Sequence, residues 1–433
     1  MSEPSTAVSL LKTLLTIAIV LSLASSALAA GSETVLYNFS GASSNPSAGL
    51  VADANGNLYG VAGFEQPGCL HYCGSVFELT PTATGWTFNL LYEFKGGGDG
   101  VDPQGPLVFD TAGNLYGTTT YGGGSCPFQK QGCGTVFELS PNSNGTWSET
   151  VLYRFKQTSD GAAPVTGVIL DSSGNVYGTT EFAGSVNTIS PNGCGTVYKL
   201  THTGGTWSFS VLHTLVAATG CSGGTLVFDT TGNLYVAAGS GGTANNHCGN
   251  GCGLIFKLTP GESGWTESIL YKFTGGSDGD TPFPLILGSD GNLYGAALFG
   301  GSGACAIGDG GCGTIFKLTP SGSSWSFSLL QTFNGNDGEL PIGVTLAANG
   351  NLYGTTEDGG AASTQCADGC GTVFELTPTA SGEWMETVLY AFTGGNDGSQ
   401  PSGGVILDAS GNLYGVASEG GTSNEGVAFK ITP

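Results

Sequence analysis

The chain has 433 residues, only 10 % of them charged, and its 33 acidic and 10 basic side chains give a net charge of −23. This balance excludes a nucleic-acid-binding or anionic-lipid-binding surface, because both need clustered Lys and Arg. The 77 glycines do not indicate disorder, because Val, Leu, Ile and aromatic residues recur between them in register.

The N-terminus has the pattern of a secretory signal peptide. An apolar run at residues 14–24 follows Lys12 and precedes the small-residue motif Ala-Leu-Ala at 27–29. The run is shorter than the roughly 20 residues that a membrane span needs, which argues against the alternative of an uncleaved anchor. We therefore expect a signal peptide at 1–29, no membrane span in the mature chain, and a secreted, periplasmic or cell-surface location.

The rest of the chain is a tandem repeat. The phrase Gly-Asn-Leu-Tyr-Gly, or a close variant, begins at positions 56, 113, 174, 232, 291, 350 and 411, a period of about 59 residues. Each unit contains four short segments, which in one repeat are 167–171, 176–180, 195–200 and 207–215. The segments are rich in Val, Thr, Tyr, Phe and Leu and are bounded by Gly, Asn, Asp and Pro, so they predict four β-strands per unit.

Seven units of four strands predict an all-β fold, a seven-bladed β-propeller with four antiparallel strands per blade. A β-solenoid is the alternative, but its coils are usually much shorter. The repeats begin with a fourth strand at 33–39 and end with a third strand at 426–433. We therefore expect the N-terminal strand to complete the last blade and remove an unpaired edge, so that residues 30–433 form a single propeller. We also expect this propeller to be a monomer.

The repeated motifs also resemble those of a known family. They are Asp-Gly-x-x-Pro, Gly-Asn-Leu-Tyr-Gly-Thr-Thr-x-x-Gly-Gly, Gly-Thr-Val-Phe-Glu-Leu-Thr-Pro and Leu-Tyr-x-Phe, with good copies at 110–141 and 350–378. Over residues 33–433 the chain resembles the Gloeo-Verruco (GloVer) tandem repeats of exported bacterial proteins. The resemblance implies export and no particular catalytic residue. Members of that family carry varied C-terminal surface anchors, whereas this sequence ends on a repeat strand, so we expect no such anchor.

The 12 cysteines of an exported chain predict disulfide bonds. Five pairs lie in the loops between the second and third strands, and the remaining two cysteines lie in loops on the same face, where a sixth bridge would link neighbouring blades. Zinc is the alternative where His71 and His247 stand near cysteines, but no single loop offers four ligands. The expected pairs are Cys69–Cys73, Cys126–Cys133, Cys248–Cys252, Cys305–Cys312, Cys366–Cys370 and Cys194–Cys221.

The loops that join one blade to the next repeat an Asp-Gly pair and are expected on the same face as the cysteine loops. Their carboxylates would form an acidic rim, with calcium or a basic or polyhydroxylated molecule as the candidate ligand. The interpretation we favour is structural, with each Asp capping its own turn, because no loop shows the dense alternating Asp and Asn ligands of an EF-hand-type site. The candidate metal-binding or ligand-binding residues are Asp99, Asp160, Asp278, Asp337 and Asp397.

Six tryptophans open the fourth strands, once per blade, on the opposite face. They could form a sugar platform, but packing at the blade edges is the expected role, because large repeated aromatic residues usually bury area. These residues are Trp86, Trp147, Trp207, Trp265, Trp325 and Trp384.

The sequence contains no Gly-x-Ser-x-Gly elbow with a following His pattern, and we find no phosphate loop, dinucleotide fingerprint or His-Glu-x-x-His motif. We therefore predict an exported, non-catalytic binding or interaction propeller with an acidic, disulfide-stiffened loop face. Its expected partner is a polysaccharide or another envelope protein. The alternative is a carboxylate-dependent, glycan-active propeller enzyme, a glycosidase or lyase, because acidic residues are abundant and their separations are not evident from the sequence.

Overall fold

The computed structural model describes residues 31–63, 73–126, 130–184, 192–301, 303, 305 and 310–433. The predicted signal peptide lies outside these residues. The described chain forms seven antiparallel sheets around a common axis, a seven-bladed β-propeller, which confirms the predicted fold. Its described residues include no helix that is long and apolar enough to cross a membrane.

In each of the first three blades the strands run outward from the central channel in chain order. Blade 1 contains β2 (Val51–Ala52), β3 (Leu58–Ala62), β4 (Ser75–Thr82) and β5 (Gly85–Glu93). Blade 2 contains β6 (Val108–Phe109), β7 (Leu115–Thr119), β8 (Thr135–Pro141) and β9 (Trp147–Arg154). Blade 3 contains β10 (Ile169–Leu170), β11 (Val176–Thr179), β12 (Thr196–Thr203) and β13 (Thr206–Thr214). A 3-10 turn, Gly41–Ser43, precedes blade 1.

The next three blades follow the same order with longer inner strands. Blade 4 contains β14 (Cys221–Phe228), β15 (Leu234–Ser240), β16 (Leu254–Gly261) and β17 (Gly264–Lys272). Blade 5 contains β18 (Asp280–Leu287), β19 (Leu293–Phe299), β20 (Thr314–Ser321) and β21 (Ser324–Thr332). Blade 6 contains β22 (Glu339–Leu346), β23 (Leu352–Asp358), β24 (Thr372–Pro378) and β25 (Trp384–Ala391).

Blade 7 joins the two ends of the chain. Its inner strand is split into β26 (Ser399–Pro401) and β27 (Ile406–Leu407), followed by β28 (Leu413–Glu419), β29 (Val427–Thr432) and the outer strand β1 (Ser32–Asn38). β1 pairs antiparallel with β29, with Val35 opposite Phe429. β1 also contacts β25 of blade 6 and β5 of blade 1. The predicted closure by the N-terminal strand is therefore confirmed, and it gives the third strand of blade 7 a partner at its outer edge.

The hydrophobic core lies between neighbouring blades, and this explains two of the repeated motifs. In the seam between blades 1 and 2, the fully buried Phe137 of β8 receives the edge of Phe94, with ring centroids 5.1 Å apart. The same phenyl ring lies over β7, where a Cβ on Gly117 would stand 2.5 Å from its Cζ atom. The final glycine of Gly-Asn-Leu-Tyr-Gly thus leaves room for the phenyl ring of the third strand. The Phe of Leu-Tyr-x-Phe, which belongs to the preceding blade, packs against the same ring.

The Asp-x-x-Gly-Asn turns connect the first and second strands and are held by their carboxylates. In blade 4, Asp229 accepts hydrogen bonds from the N–H groups of Thr231 (2.9 Å) and Asn233 (3.0 Å), from the Asn233 amide (2.7 Å) and from the Tyr235 hydroxyl (3.2 Å). Gly232 takes a φ of 87°, which favours glycine. Burial acts to raise the pKa of Asp229, but the hydrogen bonds outweigh it and lower the pKa to about 2. These aspartates therefore have a structural role.

Candidate functional site

The aspartates of the predicted acidic rim fold back onto their own loops. Asp160 accepts hydrogen bonds from the Tyr153 hydroxyl (3.0 Å), the Lys156 N–H (3.0 Å) and the Thr158 N–H (3.0 Å). The other four carboxylates also accept a hydrogen bond from a backbone N–H of their own loop. Among the described residues, none of the five belongs to a group of three or more side chains that could share a metal ion. The carboxylates cap turns, and calcium binding by this rim stays a prediction.

One rim carboxylate, Asp337, also faces a glutamate across the seam between blades 5 and 6. Glu386 projects from β25, and its Oε2 accepts a hydrogen bond from the Gln331 amide at 2.7 Å. Burial, and secondarily the nearby charge of Asp337, raises the pKa of Glu386 to about 8. Burial also raises the pKa of Asp337, although hydrogen bonds from Asn334 oppose this. In this seam the charge of Asp337 disfavours ionisation of Glu386, whereas a hydrogen bond from the Glu386 side chain favours the ionised form of Asp337.

The same arrangement recurs in two further seams. Burial, and then the charge of Asp99, raises the pKa of Glu149 in β9 to about 7. Burial, and then the charge of Asp397, raises the pKa of Glu33 in β1 to about 7. One oxygen of each glutamate is buried without a hydrogen-bond partner. The glutamates of these pairs lie on outer strands of the ring and the aspartates in the loops that follow outer strands, and none of them lines the channel.

Disulfides hold the loops between second and third strands on the same face. Cys194 and Cys221 are bonded, and they link blade 3 to the first strand of blade 4. The other bridges present are local, and Cys69 lies outside the described residues. Cys248, Cys252 and Asp280 lie within 4.8 Å of one another, but the two cysteines are bonded to each other and offer no thiolate for zinc. The local bridges are Cys126–Cys133, Cys248–Cys252, Cys305–Cys312 and Cys366–Cys370.

A ring of left-handed residues surrounds the channel mouth at the level of these loops. Each blade contributes one non-glycine residue with φ between 54° and 63°, a conformation that such residues adopt infrequently. Their N–H groups donate to a carbonyl of the preceding blade, as Asp102 does to Cys73 (3.1 Å) and Gln400 to Cys370 (3.0 Å). The cysteine loops therefore anchor this ring. Its members are Asn45, Asp102, Ala163, Ser222, Thr281, Leu340 and Gln400.

The innermost segments of all seven blades enclose a central cavity of about 870 Å³. Apolar residues line it from every blade, as Leu107 and Leu285 do, and Thr225 and Thr345 also line it. Around the proline of Asp-Gly-x-x-Pro, however, the lining side chains differ in polarity between blades, and they form two arcs at this level. The apolar arc consists of Val165, Phe283 and Ile342, on blades 3, 5 and 6. The ring of Phe283 also lies next to Gly224 of blade 4, because its Cδ2 atom is 3.5 Å from the position that a Cβ on Gly224 would occupy. The polar arc runs from blade 6 through blades 7 and 1 to blade 2 and consists of Glu357, Gln400, Ser402, Ser418, Asn45, Ser47, Asp102 and Gln104.

The polar arc is held in place by short hydrogen bonds. The Gln104 amide donates to Asp102 at 2.7 Å, and the Ser47 hydroxyl donates to the Pro103 carbonyl at 2.8 Å. Burial, and then the charges of Asp358 and Glu419, raises the pKa of Glu357 at the edge of this arc. The described residues that line the cavity include no Lys, Arg or His. The site can therefore donate and accept hydrogen bonds but offers no cation to an anionic ligand.

Sequence reasoning missed this site. The polar arc uses the residue before and the residue after the proline of Asp-Gly-x-x-Pro, as in Asp102 and Gln104, which the motif treats as variable. Glu357 follows the Thr-Thr pair of the second strand, another variable position. Comparing these variable positions across the seven repeats would have shown polar residues on adjacent blades, which was the available signal.

The tryptophans pack between blades. Trp147 meets Tyr59 of the preceding blade edge-on at 6.4 Å, and Trp207 meets Tyr116 at 6.4 Å. Trp384 makes the same contact with Tyr294. These contacts agree with the predicted packing role of the tryptophans. The candidate site is therefore the cavity between the polar arc and the apolar arc.

The repeats match a known family model. The model of the Gloeobacter/Verrucomicrobia repeat matches residues 23–189, 73–301 and 242–433. No curated protein matches this sequence.

Solved structures share the fold at low sequence identity. The GH74 enzyme of Niastella koreensis is 16% identical with a TM-score of 0.53, over 92% of this chain and 53% of that one. The extracellular domain of BT4673 from B. thetaiotaomicron is 11% identical with a TM-score of 0.51, over 94% of this chain and 42% of that one. The extracellular domain of BT3049 from B. thetaiotaomicron is 13% identical with a TM-score of 0.50, over 93% of this chain and 41% of that one. This chain thus spans about half or less of those chains, and the likeness concerns the propeller fold.

Proposed function

This chain belongs to the Gloeobacter/Verrucomicrobia repeat family, and we propose that it is an exported propeller that binds a ligand at its channel mouth without turning it over. The observation that carries this proposal is the two-sided lining of the 870 Å³ cavity, with the apolar arc facing the polar arc. Concave sites with apolar walls and a few placed polar groups are the usual form of small-molecule sites, and volumes of about 300–1,000 Å³ are typical.

Export is supported by the cysteines and by the N-terminal apolar run. Disulfides persist in oxidising compartments, and the described residues contain five of them. The run at residues 14–24 has the character of a signal peptide. We propose a periplasmic or extracellular location, with a polysaccharide or an envelope protein as the source of the ligand.

Binding without turnover is supported by the state of the rim carboxylates. They are engaged as turn caps, as the three hydrogen bonds to Asp160 show. A carboxylate held in this way supports a rigid surface rather than proton transfer to a substrate.

The test compares the wild type with a variant whose channel is narrowed. Val165→Trp adds bulk to the apolar arc, and Val211→Trp, on the outer face of β13 where Val211 is 37% exposed, is the matched control. Ligand-observed NMR is run with neutral oligosaccharides, spermidine, choline and oligogalacturonate. We expect at least one probe to bind the wild type and Val211→Trp but not Val165→Trp, and to be recovered unchanged. If no probe shows this dependence, the proposed function is wrong.

A glycan-cleaving enzyme is the second candidate, and the environment of Glu357 favours it. A carboxyl group whose pKa is raised by burial and by neighbouring carboxylates is suited to act as a general acid. Chromatography of the incubated oligosaccharides distinguishes the two candidates. Cleavage by the wild type that Glu357→Gln abolishes, with binding retained, would replace the binding role with the enzymatic one.

A further inference from the structure

We propose that the channel mouth binds a neutral sugar ring of a glycan, with one face of the ring against the apolar arc and its hydroxyls toward the polar arc. This inference rests on the proposed function and adds the chemical class of the ligand. It is carried by the distribution of side chains around the cavity, because a pyranose presents C–H groups on its faces and hydroxyls at its rim.

The apolar arc offers a surface for the face of a sugar. Val165, Phe283 and Ile342 are all only partly buried in the closed ring and line the cavity from blades 3, 5 and 6. Gly224 occupies the corresponding position in blade 4, and the Phe283 ring extends across it. The result is an apolar surface with one aromatic ring, beside which Thr225 and Thr345 also line the cavity. Such a surface can remove the C–H face of a pyranose from water.

The polar arc offers hydrogen bonds of both kinds. Side-chain amides come from Asn45, Gln104 and Gln400, which each supply a donor and an acceptor. The bond from Gln104 to Asp102 (2.7 Å) orients both groups before a ligand arrives. Vicinal hydroxyls, which donate and accept at neighbouring atoms, match such mixed pairs, and preorganised partners lower the entropic cost of binding.

Charge argues against an anionic ligand, and the scarcity of aromatic rings argues against a quaternary ammonium ligand. Anionic ligands find no Lys, Arg or His among the described lining residues. For an organic cation, the apolar arc contains a single aromatic ring, and aliphatic Val165 and Ile342 offer no cation–π attraction. Six of the eight members of the polar arc are uncharged hydrogen-bonding groups, which suit sugar hydroxyls. The two carboxylates, Asp102 and Glu357, can accept hydrogen bonds from hydroxyls but also attract cations, and the cationic probes below test that attraction.

The experiment titrates the intact mature protein with neutral, cationic and anionic probes by calorimetry. The neutral probes are cellotriose, maltotriose, xylotriose and chitotriose, the cationic probes are choline and spermidine, and the anionic probe is trigalacturonate. We expect at least one neutral trisaccharide to bind and the ionic probes not to bind. Val165→Trp should abolish this binding, and Val211→Trp should leave it unchanged.

Two pairs of variants test the two arcs separately. Gln104→Ala in the polar arc is matched with Gln365→Ala, an exposed amide in a cysteine loop on the same face. Ile342→Ser in the apolar arc is matched with Leu329→Ser on the outer strand β21, where Leu329 is 43% exposed. Each arc variant should weaken the trisaccharide about tenfold, the effect of losing one hydrogen bond or a comparable apolar contact. The matched variants should bind as the wild type does, and near-UV circular dichroism confirms that each variant is folded.

The outcomes separate this inference from the proposed function. If choline, spermidine or trigalacturonate binds in a Val165→Trp-sensitive way and no neutral trisaccharide does, the sugar assignment is wrong while the channel remains a binding site. If a trisaccharide binds but neither arc variant nor Val165→Trp weakens it, the site lies elsewhere and both proposals are wrong. If no probe binds at all, both are also overturned.

Discussion

Replacing Glu386 with glutamine should make the propeller more stable at pH 8 while leaving its stability at pH 4.5 nearly unchanged. Glu386 faces Asp337 in the seam between blades 5 and 6, and the pKa of Glu386 is raised to about 8 by burial and by that neighbouring charge. The folded protein therefore holds this proton more tightly than the unfolded chain does. The contribution of Glu386 to stability is greatest below the unfolded pKa of 4.5 and falls as pH rises to about 8.

The size of the effect follows from the pKa difference. The pKa of Glu386 rises from 4.5 to about 8, and each pKa unit corresponds to about 1.36 kcal/mol. The pH-dependent contribution of this group to the free energy of unfolding is therefore at most about 5 kcal/mol. Because Asp337 and Glu386 titrate as a pair, part of that free energy belongs to the other carboxyl group. We therefore expect Glu386→Gln to raise the free energy of unfolding at pH 8 by about 1–3 kcal/mol. Glutamine keeps an oxygen that can accept the hydrogen bond from Gln331, so this contact is retained.

Urea unfolding of the wild type and the variant at pH 4.5, 6 and 8 measures the difference. The control is Glu383→Gln, which changes the same residue type in the exposed turn just before β25. The free energy of unfolding of the control should equal that of the wild type at every pH. This result would show that removing one negative charge does not by itself change stability. An advantage of Glu386→Gln that is equal at pH 4.5 and pH 8, or absent at both, would refute the assignment of this seam as a proton-holding pair.

Three further substitutions test the fold by the same urea assay. Gly105→Ala should cost about 1–3 kcal/mol or more, because its Cβ would stand 2.0 Å from the Gly167 nitrogen of the next blade; an unchanged midpoint would contradict this close approach. Replacing Cys194 and Cys221 together with serine should cost about 3–4 kcal/mol by the chain-entropy relation, because their bridge spans 27 residues. Removing a four-residue bridge should cost only about 2 kcal/mol, so equal losses would argue against this reasoning. Asp229→Ala should cost about 1–3 kcal/mol at pH 7, and this difference should fade as pH drops from 3.8 toward 2, where the wild-type carboxylate is protonated.

Much of the fold could be predicted from the repeat because its rules are local. The alternation of apolar residues marks each strand, and glycine and asparagine at fixed offsets mark each turn. The unmatched strands at 33–39 and 426–433 predicted the closure that the pairing of β1 with β29 confirms. The cysteine count predicted disulfide bonds, which are present.

The candidate site was harder to predict because its members are far apart in the chain. Asp102 and Gln104 meet Gln400 only because blade 7 lies next to blade 1 and blade 1 lies next to blade 2 in the closed ring. The conspicuous Asp-Gly aspartates instead cap turns, as the hydrogen bonds to Asp160 show. A residue that is repeated in every blade stabilises the structure that all blades share, whereas ligand recognition depends on positions that differ between blades.

Strand count, ring closure and the structural role of the turn aspartates were thus accessible from the linear order of residues, because each depends on neighbours in the chain or on a regular period. The division of the channel into an apolar arc and a polar arc required the assembled ring. The physical reason is that seven inner strands from seven repeats surround one shared space. A side chain's neighbours across that space are set by the packing of blades against each other, which no single repeat encodes.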